Sequence, residues 1–311
     1  MNNLPHDRSG LLWEGDEGGF PTKLFEDSIG RWLEALVCDD ESEVGGDSEI
    51  MAKVWSKERG VVSGCFVVDR LVSMQCDSSR LDWQVSEGEE IDAGDLVLIF
   101  QGPAREVLGC ERTLLNVLGR MSGISTNVSK WVQCAGKLRV ACTRKTDWGL
   151  LDKWAVHIGG GLTHRLSRSD ALMIKENDIA LMAADEFSER IADAIRGIEM
   201  DVNSAFTTVE VQTQEQAIIA TSTWVEIQEG RGGVERIVLL LDNMDPNTCE
   251  SVNRSLSVSG LREWCILEAS GGVSLDSLEA WRGLDGIDLV SSSSLNRGVQ
   301  PLDLSMIVGG D

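Results

Sequence analysis

Cations crowd into one stretch of an otherwise acidic chain. Residues 111 to 175 hold eleven Lys or Arg against four acids, leaving a local charge of +7 in a 311-residue protein whose net charge is −23. The densest groups are Thr143-Arg144-Lys145-Thr146 and His164-Arg165, with Lys175 following ten residues later. Acid spread over the rest of the chain and base gathered here suit a pocket for a small, multiply anionic ligand. Guanidinium groups grip carboxylates through two parallel N–H bonds, and ammonium groups add compact point charges. No nucleic-acid partner is expected, because a phosphate backbone needs a continuous basic face.

These residues need elements to carry them. Six short β-type runs, at 138–142, 171–174, 207–211, 236–241, 264–268 and 287–290, recur every 20 to 35 residues, and the segments between them read mostly as helices, for example 181–198 and 247–258. Strand and helix alternating at this spacing predict βαβ units and a parallel sheet, and the almost wholly apolar runs suit strands covered on both faces. Each run ends in polar residues. The first leads into Thr143, Arg144 and Lys145, the second into Lys175, and the third contains Glu210. The fourth gives Asp242 and Asn243, the fifth Ser270, Gly271 and Gly272, and the sixth Ser291, Ser292 and Ser293. In α/β barrels the carboxyl ends of the strands share one rim, where groups from different strands converge. The expected fold class is α/β, with an open α/β barrel of about six parallel strands over 111–295.

The preceding region differs. A helix is expected over 23–36, strands over 51–57, 61–68 and 96–100, and an exposed loop over 39–47. Glycine-punctuated turns over 85–95 suit a small antiparallel unit. The reading is an N-terminal α/β sandwich over 1–110, joined by 296–311. A long helical stretch over 111–135 links the regions, with an expected break at Ser122-Gly123-Ile124-Ser125.

With 42% hydrophobic and 25% charged residues the chain can bury a sizeable core, and no run approaches the roughly 18 apolar residues that a membrane helix needs. The first ten residues are polar and show no signal-peptide pattern, so a cytoplasmic protein without a membrane partner is expected. Eight scattered cysteines lack zinc-site spacing and read as reduced thiols.

An ordered set of motifs resembles the quinolinate phosphoribosyltransferase family, also called carboxylating nicotinate-nucleotide pyrophosphorylases. It comprises Gly102-Pro103-Ala104-Arg105, Glu111-Arg112-Thr113-Leu114-Leu115-Asn116, Ser122-Gly123-Ile124, Thr143-Arg144-Lys145-Thr146, Gly159-Gly160-Gly161, His164-Arg165, Ile174-Lys175-Glu176-Asn177, Val209-Glu210-Val211, Leu241-Asp242-Asn243-Met244 and Glu268-Ala269-Ser270-Gly271-Gly272. The resemblance implies transfer of phosphoribose from phosphoribosyl pyrophosphate to quinolinate, with loss of pyrophosphate and CO2. It implies that Arg144, His164 and Arg165 hold the quinolinate carboxylates. Lys145 and Lys175 would lie between the ring substrate and the pyrophosphate, and Thr143 would be a further substrate-binding residue. Glu210 and Asp242 would face the ribose and a Mg2+ ion on the pyrophosphate. Ser270, Gly271, Gly272, Ser291, Ser292 and Ser293 would receive the 5-phosphate, with a helix starting at Ser274. Arg112 would reach a neighbouring subunit's site, which requires a homodimer or a higher homo-oligomer.

The chain departs from the family pattern at Thr163, at Asp178, at the shorter Asp147-Trp148-Gly149 stretch, and at Ser293, which stands where glycine is usual. Asp178 brings an acid to a basic site, and Ser293 puts close backbone approach in question. Two other functions stay open: a paralogue acting on nicotinate or another aromatic acid without decarboxylation, and a non-catalytic binder of anionic metabolites. Among individual residues, Asp242 also suits a helix cap in Asp-Asn-Met-Asp-Pro. His157 reads as structural, and Lys153 and Arg168 as solvated charges.

Overall fold

A computed structural model of the chain describes residues 4–15, 18–39, 45–180, 187–199 and 204–309. Contacts divide it into two units. One comprises the described residues of Met1–Asp7, Trp131–Arg144 and His164–Ser292; the other comprises those of Arg8–Lys130, Lys145–Thr163 and Ser293–Asp311. This division runs differently from the sequence reading of 1–110 and 111–295.

The second unit contains helix α1 (Lys23–Asp39), strand β1 (Glu49–Ser56), α2 (Cys65–Gln75), β2 (Arg80–Trp83), β3 (Leu96–Pro103), most of α3 (Ala104–Ala135) and α4 (Leu150–Ile158). Its four-stranded sheet is antiparallel, with the chain's last strand, Leu304–Val308, beside β1, then β3 and β2. Of the segment read as 296–311, residues 304–308 thus join this sheet as that strand.

Two local expectations fail here. The run 61–68 is not one strand: Gly60–Val61 pairs with Glu90–Ile91, and α2 begins at Cys65. Its start is set from a distance, because the Glu87 carboxylate accepts the N–H groups of Gly64 and Cys65. An acid at a helix N-terminus satisfies orphan donors and favours the dipole, which outweighs the β preference of the valines. Nor does α3 break at Ser122-Gly123-Ile124-Ser125. These residues form a close-packing seam: the Ser125 hydroxyl donates to Ala155 O at 2.7 Å, and a Cβ on Gly123 would lie 2.3 Å from Gln300 O. Lys153, expected in solvent, is buried, and its Nζ donates to Thr163 O at 2.6 Å.

The first unit contains β4 (Arg139–Ala141), β5 (Leu172–Ile174), α5 (Glu176–Ile179), α6 (Phe187–Arg196), β6 (Thr207–Val211), α7 (Gln214–Arg231), β7 (Ile237–Asp242), α8 (Pro246–Val258), β8 (Cys265–Ser270), α9 (Leu278–Arg282) and β9 (Leu289–Ser291). The expected helix over 181–198 is seen as α6, and 181–186 lie outside the described residues. The central part of the 39–47 loop, 40–44, also lies outside them.

All six strands are parallel, in the order β4-β9-β8-β7-β6-β5. Consecutive strands are neighbours except β4 and β5, so the sheet is an open barrel whose seam lies between its first and second strands. Its middle is sealed by apolar side chains: Ile237, Val238, Leu239 and Leu241 of β7 are fully buried, each worth roughly 1.5–3 kcal/mol in burial. The helices are punctuated as their sequences require. The hydroxyl oxygen of Thr213 accepts the N–H of Gln216 to cap α7, and Gly232 ends that helix at φ +69°. Asp245, followed by Pro246, caps α8 by accepting the N–H groups of Asn247 and Thr248. Asp242 therefore does not cap that helix.

Candidate active site at the carboxyl rim

The parallel register fixes which residues share the rim. Asp242 pairs with Ser270 and Ser270 with Ser291, so the ends of β7, β8 and β9 present these three side by side. Two residues below, Glu210, Leu240 and Glu268 form the next row across β6, β7 and β8. Side chains alternate along a strand, so residues two apart occupy one face.

At the seam, Arg144 follows β4 and Arg165 follows the return of the chain into this unit. Arg165 is buried, and its guanidinium donates to Ala171 O at 2.9 Å and to Met173 Sδ at 3.4 Å. Burial, then the like charges of Arg144 and Arg168, hold its pKa below the ordinary arginine value. Arg165 is thus a buried cation facing the like charges of two exposed arginines, a setting short of negative charge that a dianionic ligand would supply. Lys175 lies just past β5, and its Nζ donates to the Glu210 carboxylate at 3.0 Å. Asp178, the acid that seemed out of place, has a local job: its Oδ2 accepts the N–H of Lys175 at the start of α5.

The residues expected to receive a phosphate differ in how they are placed. The turn after β8 is open: Gly271 and Gly272 take φ +95° and +66°, and the N–H of Asn243 donates to Ser270 O at 2.8 Å. A Cβ on Gly271 would lie 2.3 Å from Asn243 Oδ1. Gly271→Ala is thus expected to cost roughly 1–2 kcal/mol of stability and to raise the KM for the phosphorylated substrate more than that for the aromatic acid. Thermal denaturation and paired KM measurements check this. By contrast, Ser291 and Ser292 turn inward. The Ser291 hydroxyl donates to Ser270 Oγ at 3.1 Å, the Ser292 hydroxyl donates to Val273 O at 2.7 Å, and the Ser292 N–H donates to Ala141 O. They brace the turn through these bonds. The helix expected at Ser274 begins at Leu278 instead, because Ser274 and Ser277 exchange bonds between their N–H groups and hydroxyls in a turn.

Arg112, Lys145 and Ser293 belong to the other unit. Arg112 is exposed on α3, Lys145 is exposed and Ser293 opens a short 3-10 turn. Among described non-glycine residues only His164 and Asn243 have positive φ, so serine at position 293 imposes no backbone strain. Thr163 lies buried in that unit, where its hydroxyl oxygen accepts the N–H of Arg8.

Sequence reasoning missed one cluster. Glu268, fully buried on the inner row, accepts from His6 Nε2 at 3.1 Å and from His164 Nε2 at 3.2 Å. Burial pushes its carboxyl upward, but the two histidines overcome this and hold it well below the ordinary carboxylate value. The signal was an acid within an apolar strand at the parity of Ile266 and Ser270. His164 takes φ +53°, and its Nδ1 accepts the N–H of Arg165 at 2.7 Å. Its ring is therefore committed inward, where it shapes the loop carrying Arg165, and this geometry does not present either ring nitrogen to a ligand carboxylate.

Because the folded-state pKa of Glu268 is depressed, its contribution to stability is present above the ordinary value of 4.5 and is lost as pH falls through the folded value. The stability gap between the wild type and Glu268→Gln is expected to be about 1–3 kcal/mol near neutrality and to shrink only below about pH 4.5. Urea titrations across pH check it; a gap that closes above pH 5 sinks the assignment.

A cavity of about 550 Å³ lies at the opposite end of the strands, lined in part by Pro5, Leu172, Phe206, Thr207, Arg236 and Ile266. None of the candidate rim residues lines it.

An open α/β barrel with arginines at its seam, carboxylates at neighbouring strand ends and a glycine turn beyond them defines a class of barrels that receive polyanionic substrates at the carboxyl rim. Comparison with known families sharpens this. Residues 36–122 match the quinolinate phosphoribosyl transferase N-terminal domain and 124–307 the C-terminal domain. The chain is 33% identical over 277 residues to a probable carboxylating nicotinate-nucleotide pyrophosphorylase of Methanothermobacter thermautotrophicus, covering 87% of this chain and 92% of that one. Its counterpart in Bacillus subtilis is 30% identical over 267 residues, covering 85% of each chain. The crystal structure of NadC from Streptococcus pyogenes superposes with a TM-score of 0.77 at 30% identity, covering 92% of this chain and 98% of that one. The chain belongs to the quinolinate phosphoribosyltransferase family.

Proposed function

We propose that the protein joins quinolinate to phosphoribosyl pyrophosphate, giving nicotinate mononucleotide, pyrophosphate and CO2 in NAD biosynthesis. The observation that carries this reading is the sorting of charge around the rim. Cations stand at the seam (Arg144, Arg165 and Lys175), acids at the next strand ends (Glu210 and Asp242), and a glycine turn beyond (Gly271 and Gly272). That order suits a dicarboxylate, a ribose and a phosphate arranged side by side.

In this reading Arg144 and Arg165 grip the two carboxylates and aim the pyridine nitrogen at the ribose C1. As pyrophosphate leaves, positive charge grows on the ribose, and Glu210 and Asp242 stabilise it. Lys175, paired with Glu210, takes up the charge of the departing phosphate. Once ribosylated, the ring nitrogen is cationic and stabilises the electron pair left on the adjacent ring carbon when its carboxylate departs as CO2; that carbon then takes a proton from water to give the product. Mg2+ takes oxygen donors, commonly one or two carboxylates with substrate phosphates, and the half-buried Glu210 and Asp242 fit that donor set. When bound it would neutralise charge on the leaving pyrophosphate.

The test is release of labelled CO2 from carboxyl-labelled quinolinate, which must require phosphoribosyl pyrophosphate. Turnover of nicotinate without CO2 release would replace this reading with the paralogous one. Among the described residues no helix is long and apolar enough to cross a membrane, and a cytoplasmic setting accords with the reaction.

Arg112, exposed on α3, would complete the site of a second copy, making the homodimer the smallest active form. Mixing inactive Arg112→Ala protein with inactive Glu210→Ala protein is then expected to restore activity, because hybrid dimers hold one intact site. Failure of mixed and refolded samples to regain any activity overturns the shared site.

A further inference from the structure

Residues 4–7 precede the stretch matched to the family, which begins at 36, yet they pack within the barrel unit. Leu4 and His6 are buried there, and Pro5 lines the cavity at the amino ends of the strands. His6 is fully buried, with its ring 5.0 Å from those of His164 and Phe206. The inner face of β8 runs Ile266, Glu268, Ser270, and Ile266 lines the same cavity while Ser270 reaches the rim. His6 therefore sits between the two ends of the barrel and meets Glu268 at the row directly beneath the rim.

The bonding there is specific. Nδ1 of His164 accepts the N–H of Arg165, so its Nε2 carries the hydrogen and donates to Glu268 Oε1. His6 takes the other oxygen, Oε2. One carboxylate thus uses one oxygen for each ring. Without His6, a buried oxygen loses a donor and Glu268 loses the contact that fixes its rotation. His164 then loses the acceptor that holds it at φ +53°, a backbone state unfavourable for a residue with a Cβ. Arg165 is the very next residue.

We propose that His6 is a positioning residue for the aromatic-acid end of the site: through Glu268 it fixes the tautomer and backbone of His164, and thereby the placement of Arg165. This rests on the reading of Arg165 as a quinolinate ligand. A metal ion held by His6, His164 and Glu268, whose ligand atoms all lie within 4.8 Å of one another, is the competing use of the cluster. The hydrogen-bonded arrangement accounts for the observed geometry without one.

The test compares full-length wild type, His6→Ala and His6→Gln. His6→Ala is expected to raise the KM for quinolinate roughly tenfold while leaving that for phosphoribosyl pyrophosphate within about twofold, and His6→Gln, which keeps an N–H donor, is expected to recover much of the loss. In ligand-free protein, nitrogen-15 NMR should show His164 as the Nε2–H tautomer, with that resonance shifted or lost in His6→Ala. Equal effects on both KM values, an unchanged quinolinate KM, or an unchanged His164 resonance would each overturn the proposal. So would an Nδ1–H tautomer in the wild type, which decides the matter even if His6→Ala does not fold. One equivalent of tightly bound metal in purified wild type, lost in His6→Ala, would replace it with the metal site. If wild type fails to turn over quinolinate, the functional reading has failed, while the NMR comparison still judges His6.

Discussion

Arg165→Ala is expected to raise the KM for quinolinate by roughly two to three orders of magnitude, the range for removing one partner of a buried, hydrogen-bonded charge pair. Arg165 is only 6% exposed, and its guanidinium is anchored on Ala171 O. Burial first, and then repulsion from Arg144, already depress its pKa. A bound dianion relieves the repulsion and accepts a bidentate grip. Arg165→Lys is expected to recover little, because an ammonium group lacks the planar fork and cannot hold Ala171 O while gripping a carboxylate. Initial-rate kinetics with quinolinate varied at saturating phosphoribosyl pyrophosphate provide the measurement. A quinolinate KM within about threefold of wild type, in folded protein, would remove Arg165 from the site.

Glu210→Gln is expected to lower kcat by about two to three orders of magnitude while leaving both KM values nearly unchanged. The substitution keeps shape and removes charge. If Glu210 stabilises a cation that exists only as pyrophosphate leaves, the loss appears in the transition state and not in binding. Its ion pair with Lys175 offers a plainer role, that of holding the lysine, and the two roles separate in a double mutant. Lys175 is nearly half exposed, at 46% of its side chain, so the pair itself contributes at most about 1 kcal/mol. A kcat that falls less than about tenfold would assign Glu210 to the plainer role.

The barrel was legible because its strands carry their own signal. Thr207–Val211 appears over the same residues read from sequence, and β7 shows the unbroken apolar run of a strand covered on both faces. The candidate residues at the carboxyl ends of β4 through β9 followed from that periodicity. What escaped depends on distant partners. Val61, Val62, Val67 and Val68 suggest a strand locally, and only Glu87, more than twenty positions on, converts the second half into a helix start. Ser291 and Ser292 were rightly placed at a strand end, but which way their hydroxyls point is decided by Ser270 and Val273 across the turn. His6 sits in a polar stretch that offered no periodicity at all. Its role depends on a partner 262 positions later.

The carboxylate that starts α2 also ties together parts of that unit that are distant in sequence. A segment rich in valine has weak helix propensity, and a single helical turn costs more ordering than its first bond returns. Without Glu87, the 60–76 segment has little local reason to leave extended conformations. In the folded unit the Glu87 Oε1 accepts from the Ser63 hydroxyl, the Gly64 N–H and the Trp154 indole N–H, while Oε2 accepts the N–H of Cys65. One side chain thus makes this helix start depend on a contact more than twenty positions away in sequence, and ties it to α4.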